Sequence, residues 1–237
     1  MNGTPEHEHV PSELITAVVN LVGTGPVPLG AYTSAEICAV GGLIDFLEQD
    51  PAPELIAEAV RSLAARDLIT TDAGDQHIDV RGDLGISLAF QQRTRVVIDA
   101  RRTGTDPDTP WRYLLMPQPE KVTLEVVIDA LGIHFFWLRT TNDALKRLLE
   151  QLPSGDPGPR DADLDTALAA SPQTALVTVT HCRDSGERES TDVILARLDD
   201  RLHVFLRDPD EPERFAAQAI GGGELRAMLE RLIAYQG

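Results

Sequence analysis

The sequence contains few side chains whose types and spacing could carry out chemistry. His181 stands next to Cys182, and this is the one local pair that could make a thiolate nucleophile. Adjacent residues on a strand point to opposite faces, so the two side chains are badly placed to exchange a proton. His134 and His203 lie on strand-like runs that we interpret as equivalent, which suggests a symmetric pair. A histidine on a strand is more often hydrogen-bonded or at the surface, so we predict no catalytic residue.

Phosphate and metal motifs are equally weak. Gly221, Gly222 and Gly223 precede a helical run and could offer backbone N–H groups to an anion. They lack the lysine and the preceding strand of a nucleotide site, so we interpret them as a flexible joint. His7 and His9 alternate with acids in a polar N-terminal lead, which could hold a metal ion only weakly. We therefore predict no metal site, no cofactor and no enzyme activity.

The charge balance limits the kinds of partner. The 237 residues include 38 acids and 21 bases, which gives a formal net charge of −17. A field of this sign repels phosphate backbones and anionic lipid surfaces, so we predict binding neither to nucleic acid nor to membranes. No signal peptide or membrane span is recognisable. Cys38 and Cys182 lie far apart, which favours reduced thiols in a cytoplasmic protein, with a disulfide left open.

The N-terminal portion, residues 12–90, is predicted to be helical after a disordered lead over residues 1–11. Apolar residues recur at helical spacing in three runs. These runs begin at Ser12, Ser34 and Pro53. The third run leads into Ser62–Ile69, then a turn and a short extended piece at 77–80, which is typical of the end of a winged-helix unit.

A winged helix that reads DNA needs positive charge on the helix before the wing. That helix instead carries Glu54, Glu58 and Arg61, and the turn after it carries Asp72 and Asp75. We therefore favour a helical cap without a DNA role. A winged-helix transcriptional regulator is the alternative.

The rest of the chain repeats one strand–strand–helix pattern at an offset of 80 residues. The strand run 94–98 corresponds to 174–178, and the helical run 143–152 corresponds to 223–232. The first copy has an additional strand from Trp111. The second has an insertion at 208–222 before its helix.

Two copies are too few for a solenoid, which needs at least about three units, so a pseudo-twofold pair is expected. Hairpin connections join neighbouring strands directly, and the helices would then pack on the resulting sheet. We predict an α+β fold: a central, mostly antiparallel sheet from two pseudo-twofold-related halves, flanked by helices, with a helical N-terminal portion. The two halves are residues 91–152 and 174–237, joined by a linker at 153–173 that is rich in proline and glycine near its start.

One segment carries a family resemblance. Ser62-Leu63-Ala64-Ala65-Arg66-Asp67-Leu68-Ile69 is similar to the phrase L-A-x-R-G-L of the EspG family, with Asp67 in place of the usual glycine. The strand and helix runs from Arg95 to Leu152 add to the resemblance. EspG proteins are cytosolic chaperones of type VII (ESX) secretion, with a central sheet flanked by helical bundles.

The resemblance implies a non-enzymatic chaperone or adaptor. It would bind the helical tip of a PE/PPE-type secretion substrate, shield its apolar surface and keep it soluble until export. Phe135, Trp137 and Phe205 are strand aromatics that could supply an apolar docking face, and the alternative places them in the core. A small-ligand-binding protein, with its site between the two halves, and a homodimer are also left open.

Overall fold

A computed structural model describes residues 12–43, 50–71, 78–103, 110–183, 185–208, 210–211 and 213–234. The helices are α1 (Ser12–Val22), α2 (Ser34–Ala39), α3 (Pro53–Ala65), α4 (Gly82–Gln92), α5 (Thr141–Gln151), α6 (Leu164–Ala170) and α7 (Gly222–Ile233). The strands of the first part are β1 (Val27–Tyr32), β2 (Ile69–Thr71), β3 (Ile78–Val80), β4 (Val96–Thr103), β5 (Arg112–Pro117), β6 (Val122–Ile128) and β7 (His134–Thr140). Those of the second part are β8 (Asp156–Pro157), β9 (Gln173–Cys182), β10 (Arg188–Leu198), β11 (Arg201–Arg207) and β12 (Phe215–Gln218). The predicted lead, with His7 and His9, lies outside the described residues.

The α+β prediction is confirmed by a large, mostly antiparallel sheet. Its strand order is β1-β7-β6-β5-β4-β9-β10-β11-β12, and β8 pairs in parallel with β11. Strands β2 and β3 form a separate antiparallel pair after α3, and β3 is the described part of the extended piece predicted at 77–80. No helix in the described part of the chain is long and apolar enough to cross a membrane.

The two halves meet where β4 pairs with β9 in the middle of the sheet. Each half is an antiparallel meander of four strands followed by a helix: β4 to β7 with α5, and β9 to β12 with α7. A twofold axis perpendicular to the sheet would bring the strand order and strand directions of one half onto those of the other. Helices α5 and α7 both pack on one face, where their leucines join the core.

The offset of 80 residues matches buried leucines of the two helices, but on the central strands it matches residues that lie on opposite faces of the sheet. Leu145 and Leu225 are both buried beneath the helices. On the strands, Ile98 pairs with Val179, and both side chains lie on this same face. Thr178, which the offset matches to Ile98, points to the opposite face. A twofold axis perpendicular to the sheet relates residues that lie on the same face of the sheet. Shifting the match by one residue along a strand would relate residues on opposite faces.

The predicted differences between the copies are also corrected. The strand after Trp111 is not additional, because β5 corresponds to β10 in the sheet order. The insertion at 208–222 contains β12, the counterpart of β7. His134 lies on β7 and His203 on β11, so the two histidines are not equivalent. The linker at 153–173 contains β8 and α6.

The N-terminal portion contributes to the sheet as well as covering it. Helices α1 to α4 pack on the face opposite α5, over the strands of the first half. The segment containing Pro28 lies within the portion predicted to be helical, but it forms edge strand β1 against β7. A proline is tolerated on an edge strand, where its missing N–H need not pair. The helix predicted from Ser34 ends at Ala39, and its predicted part beyond residue 43 lies outside the described residues.

Candidate functional site

A groove of about 670 Å³ lies between α2, α3 and the turn that joins β6 to β7; we call it the α2–α3 groove. One wall comes from the start of α2, namely Thr33, Ser34, Ala35 and Glu36. The other comes from α3 and the segment before it, namely Asp50, Pro51, Ala52, Leu55, Glu58, Ala59 and Ser62. Leu131, Gly132 and Ile133 close one end.

Glu36 fixes the two helical walls to each other. Its side chain is only 9% exposed. One carboxylate oxygen accepts hydrogen bonds from Ser62 Oγ (2.9 Å) and from the Arg66 guanidinium (2.6 Å), both at the C-terminal half of α3. The other accepts from the Thr33 backbone N–H (3.0 Å), while Thr33 Oγ1 caps the Glu36 amide. This capping box satisfies N-terminal amides of α2, so the groove wall is held by polar contacts as well as packing.

Tyr32 anchors the same wall to the sheet. Its ring meets Phe136 edge-on at a centroid distance of 5.5 Å, and the Arg66 guanidinium lies 5.6 Å from its centroid. Its hydroxyl donates to the Leu29 carbonyl at 2.8 Å. Burial, followed by the nearby Asp83 carboxylate, raises the pKa of Tyr32 to about 12. The phenol therefore stays protonated and remains a donor across the physiological pH range.

The β6–β7 turn presents Leu131 to solvent in a fixed position. Asp129 Oδ1 accepts from the backbone N–H groups of both Leu131 and Ile133, at 2.9 Å each. The Asp129 carbonyl in turn accepts from the Trp111 indole at 3.0 Å. Gly132 takes a φ of 75°, a conformation that favours glycine. The exposed leucine is therefore carried by a turn with its own hydrogen-bond framework.

The rim of the groove is apolar and acidic. Leu55 on α3 is 58% exposed and Leu131 in the β6–β7 turn is 85% exposed, and both line the groove. Among the described residues, those that line the groove include Glu36, Asp50 and Glu58 and no basic residue. The charge of Glu36 is balanced by Arg66, and Glu58 pairs with Arg61 on the outer surface of α3.

Of the three aromatics predicted to form a docking face, Phe135 and Trp137 lie on one face of β7, and Phe205 lies apart from them. Phe135 is 37% exposed and Trp137 is half-buried; both lie on the sheet face that α5 partly covers, away from the α2–α3 groove. Trp137 is stacked by the Arg139 guanidinium at 5.1 Å. Phe205 is 1% exposed and packs beneath Ala167 of α6. Its inclusion in a docking face was wrong, because α6, which we did not predict, covers it.

His181, the histidine next to Cys182, makes a structural contact. His181 Nε2 lies 2.7 Å from the Leu232 carbonyl, which ties β9 to α7.

The most buried charges are paired across the sheet. Arg112 donates to both carboxylate oxygens of Asp99, at 2.9 and 2.8 Å. Within the described residues, no three His, Cys, Asp or Glu side chains are grouped so as to hold a metal ion.

Sequence reasoning missed the α2–α3 groove, although one signal for its wall was present. Thr33 and Glu36 stand three residues apart before an apolar run, which is the spacing of a capping box. The contact of Glu36 with α3 could not be predicted, because Ser62 and Arg66 lie 26 and 30 residues further along the chain.

No protein-family model matches the chain, and comparison with curated proteins gives no significant match.

Proposed function

We propose that this protein is a non-enzymatic adaptor or chaperone that binds a helical protein partner in the α2–α3 groove. The observation that carries the proposal is that two exposed leucines, Leu55 and Leu131, both line an open groove. An amphipathic helix lays its apolar face into such a groove, with side chains one turn apart as anchors.

The rigidity of the groove supports the same function. Both walls and the turn are held by hydrogen bonds that do not depend on a ligand: Glu36 to Ser62 and Arg66, and Asp129 to the turn amides. A preformed groove loses little conformational freedom when a partner docks, so more of the interaction energy appears as affinity.

The resemblance of Ser62–Ile69 to the EspG phrase suggests the partner class. On this proposal the partner is the helical tip of a PE/PPE-like substrate of a type VII secretion system, kept soluble in the cytoplasm before export. The net charge of −17 would help to keep such a complex in solution.

Co-expression tests the proposal. The tagged protein would be produced together with helical proteins encoded beside its gene, and partners that co-purify would be identified. We expect Leu55→Asp and Leu131→Asp to abolish co-purification. Leu21→Asp is the matched control, because Leu21 is 53% exposed on α1 and does not line the groove. Retention of the partner by both groove variants, or its loss in the control as well, would contradict the proposal.

Small-ligand binding is a second candidate, because a volume of about 670 Å³ falls within the range of small-molecule sites. A metabolite panel distinguishes it: a ligand would raise the melting temperature of the wild-type protein but not of Leu55→Asp. An unchanged melting temperature across the panel would remove this candidate.

A further inference from the structure

The last strand of the sheet, β12, lies at an edge that no described segment covers. Within the described residues, β12 pairs with β11 on one side and with no strand on the other. The Asp208 amide donates to the Arg214 carbonyl at 2.9 Å, which makes these two residues a hydrogen-bonded pair. In an antiparallel sheet such pairs alternate with pairs whose N–H and C=O groups point away from the partner strand. The backbone N–H and C=O groups of Phe215 and Ala217 are therefore directed away from β11, along the edge.

The other half of the sheet shows what such an edge can accept. Strand β7 is the counterpart of β12 in the pseudo-twofold arrangement. Its outer edge is occupied by β1, which runs antiparallel to it over the pairs from Val27–Leu138 to Tyr32–His134. The first half thus carries a fifth strand, and the equivalent position beside β12 holds none of the described segments.

The sequence of β12 lacks the features that usually protect an edge strand. Native edge strands are commonly blunted by charges, prolines or bulges. The residues of β12 are Phe215, Ala216, Ala217 and Gln218, which include neither a charge nor a proline. All four side chains are half-buried, so the strand is held in place by packing against β11 and α6 rather than projecting into solvent.

The surface beside this edge is acidic. A second groove of about 700 Å³ opens where β12 begins, between α6 and the chain before Phe215. Asp163, Asp165, Glu211 and Glu213 line it, with Arg214 as the opposing charge. Arg214 lies 3.6 Å from Glu211. The groove therefore keeps an excess of negative charge at one end of the strand.

We propose that the β12 edge binds an extended segment of a partner protein, which adds to the sheet as a strand antiparallel to β12. Because the acidic groove lies at the N-terminal end of β12, the segment carries lysine or arginine toward its own C-terminal end. Main-chain hydrogen bonds supply affinity in this mode of recognition, and the basic residues supply specificity. A second copy of this chain fits less well, since each copy brings the same acids and a net charge of −17.

This site is separate from the α2–α3 groove and stands independently of the proposed function. Its test uses the full-length protein and a short synthetic peptide of alternating threonine and valine with two lysines near its C-terminus. Binding would be measured by fluorescence anisotropy. Matched peptides carry two glutamates in place of the lysines, or the lysines near the N-terminus, and we expect both to bind more weakly.

Two protein variants locate the site. Ala217→Pro removes an outward-facing N–H without removing a hydrogen bond to β11, and we expect affinity to fall about tenfold or more, because a peptide carbonyl is left unpaired. Glu211→Gln with Glu213→Gln should weaken the lysine peptide and flatten its salt dependence. The control is Glu187→Gln with Glu189→Gln, the same charge change on the β9–β10 hairpin, which should leave binding unchanged.

Unchanged binding to Ala217→Pro, or equal binding of the lysine and glutamate peptides, would overturn the proposal. If Ala217→Pro unfolds, peptides N-methylated at alternate positions replace it: methylation of one alternate set should abolish binding, and equal tolerance at both sets would count against strand addition. Sedimentation of the free protein adds a further outcome. A dimer that Ala217→Pro converts to a monomer would assign the edge to a second copy and overturn the partner segment.

Discussion

Arg66 of α3 donates a 2.6 Å hydrogen bond to Glu36 of α2, and this buried carboxylate joins the two walls of the candidate groove. The same oxygen accepts from Ser62, so one side chain holds the C-terminal half of α3 against the start of α2. The arrangement makes the groove a preformed feature of the fold.

Removal of this carboxylate should loosen the groove. We expect Glu36→Ala to lower the free energy of unfolding by about 1–3 kcal/mol, because Ser62 and the Thr33 amide lose their acceptors along with the ion pair. Urea unfolding measures the change. Glu58→Ala is the control, since the Glu58–Arg61 pair is exposed and should contribute little. Equal effects of the two substitutions would show that Glu36 does not brace the groove.

The two strand phenylalanines should respond differently to truncation. Phe205→Ala removes a ring that is 1% exposed beneath α6, and we expect a loss of about 3–5 kcal/mol in the free energy of unfolding. Phe135→Ala removes a ring that is 37% exposed and should cost much less. Chemical denaturation of both variants gives the comparison, and a larger loss for Phe135→Ala would contradict the assignment of Phe205 to the core.

His134 should make stability depend on pH. It is 4% exposed, and burial together with the positive charge of Arg112 lowers its pKa, although contacts with the Gly132 and Tyr32 backbone and with Asp129 oppose this. The folded state therefore holds the neutral imidazole. As pH falls below the unfolded value of about 6.5, the unfolded state binds a proton that the folded state resists, and stability declines.

The comparison of wild type with His134→Gln isolates this contribution. Urea unfolding at pH 7.5 and at pH 5.5 gives the loss of stability on acidification for each protein. We expect a smaller loss for the variant, since glutamine does not titrate. A loss of the same size in both would show that other groups cause the pH dependence.

Asp67 offers a test of backbone conformation at the end of α3. It takes a φ of 57°, and the Leu68 amide closes the turn onto the Leu63 carbonyl at 3.0 Å. This is the left-handed position after a helix, which glycine occupies most readily. We expect Asp67→Gly to raise the free energy of unfolding by about 0.5–1 kcal/mol.

A glycine elsewhere in the same helix provides the matched control. Ala57 is exposed in the middle of α3, and Ala57→Gly should lower stability by about 1 kcal/mol. Thermal or urea unfolding of both variants is sufficient. A decrease for Asp67→Gly comparable with that for Ala57→Gly would contradict the conformational argument.

Local patterns predicted much of the secondary structure. The helix from Ser12 and the helix with Pro53 in its first turn are confirmed, because periodicity and capping act within a few residues. Positive φ at Asp199 and Asp200 marks the tight turn between β10 and β11. Edge strand β1 was missed because Pro28 and Gly30 disfavour a strand locally, and pairing with β7 outweighs that preference.

The sequence by itself determined the class of this protein: an α+β chain with duplicated halves, strongly acidic, whose helices carry apolar faces at regular spacing. Only the tertiary structure decided the register of the two halves, the burial of Phe205 and the presence of Leu131 and Leu55 in one groove. Spacing along the chain reports which residues share a face. The identity of the element that covers that face depends on contacts between distant segments, such as Glu36 with Arg66, that no local pattern encodes.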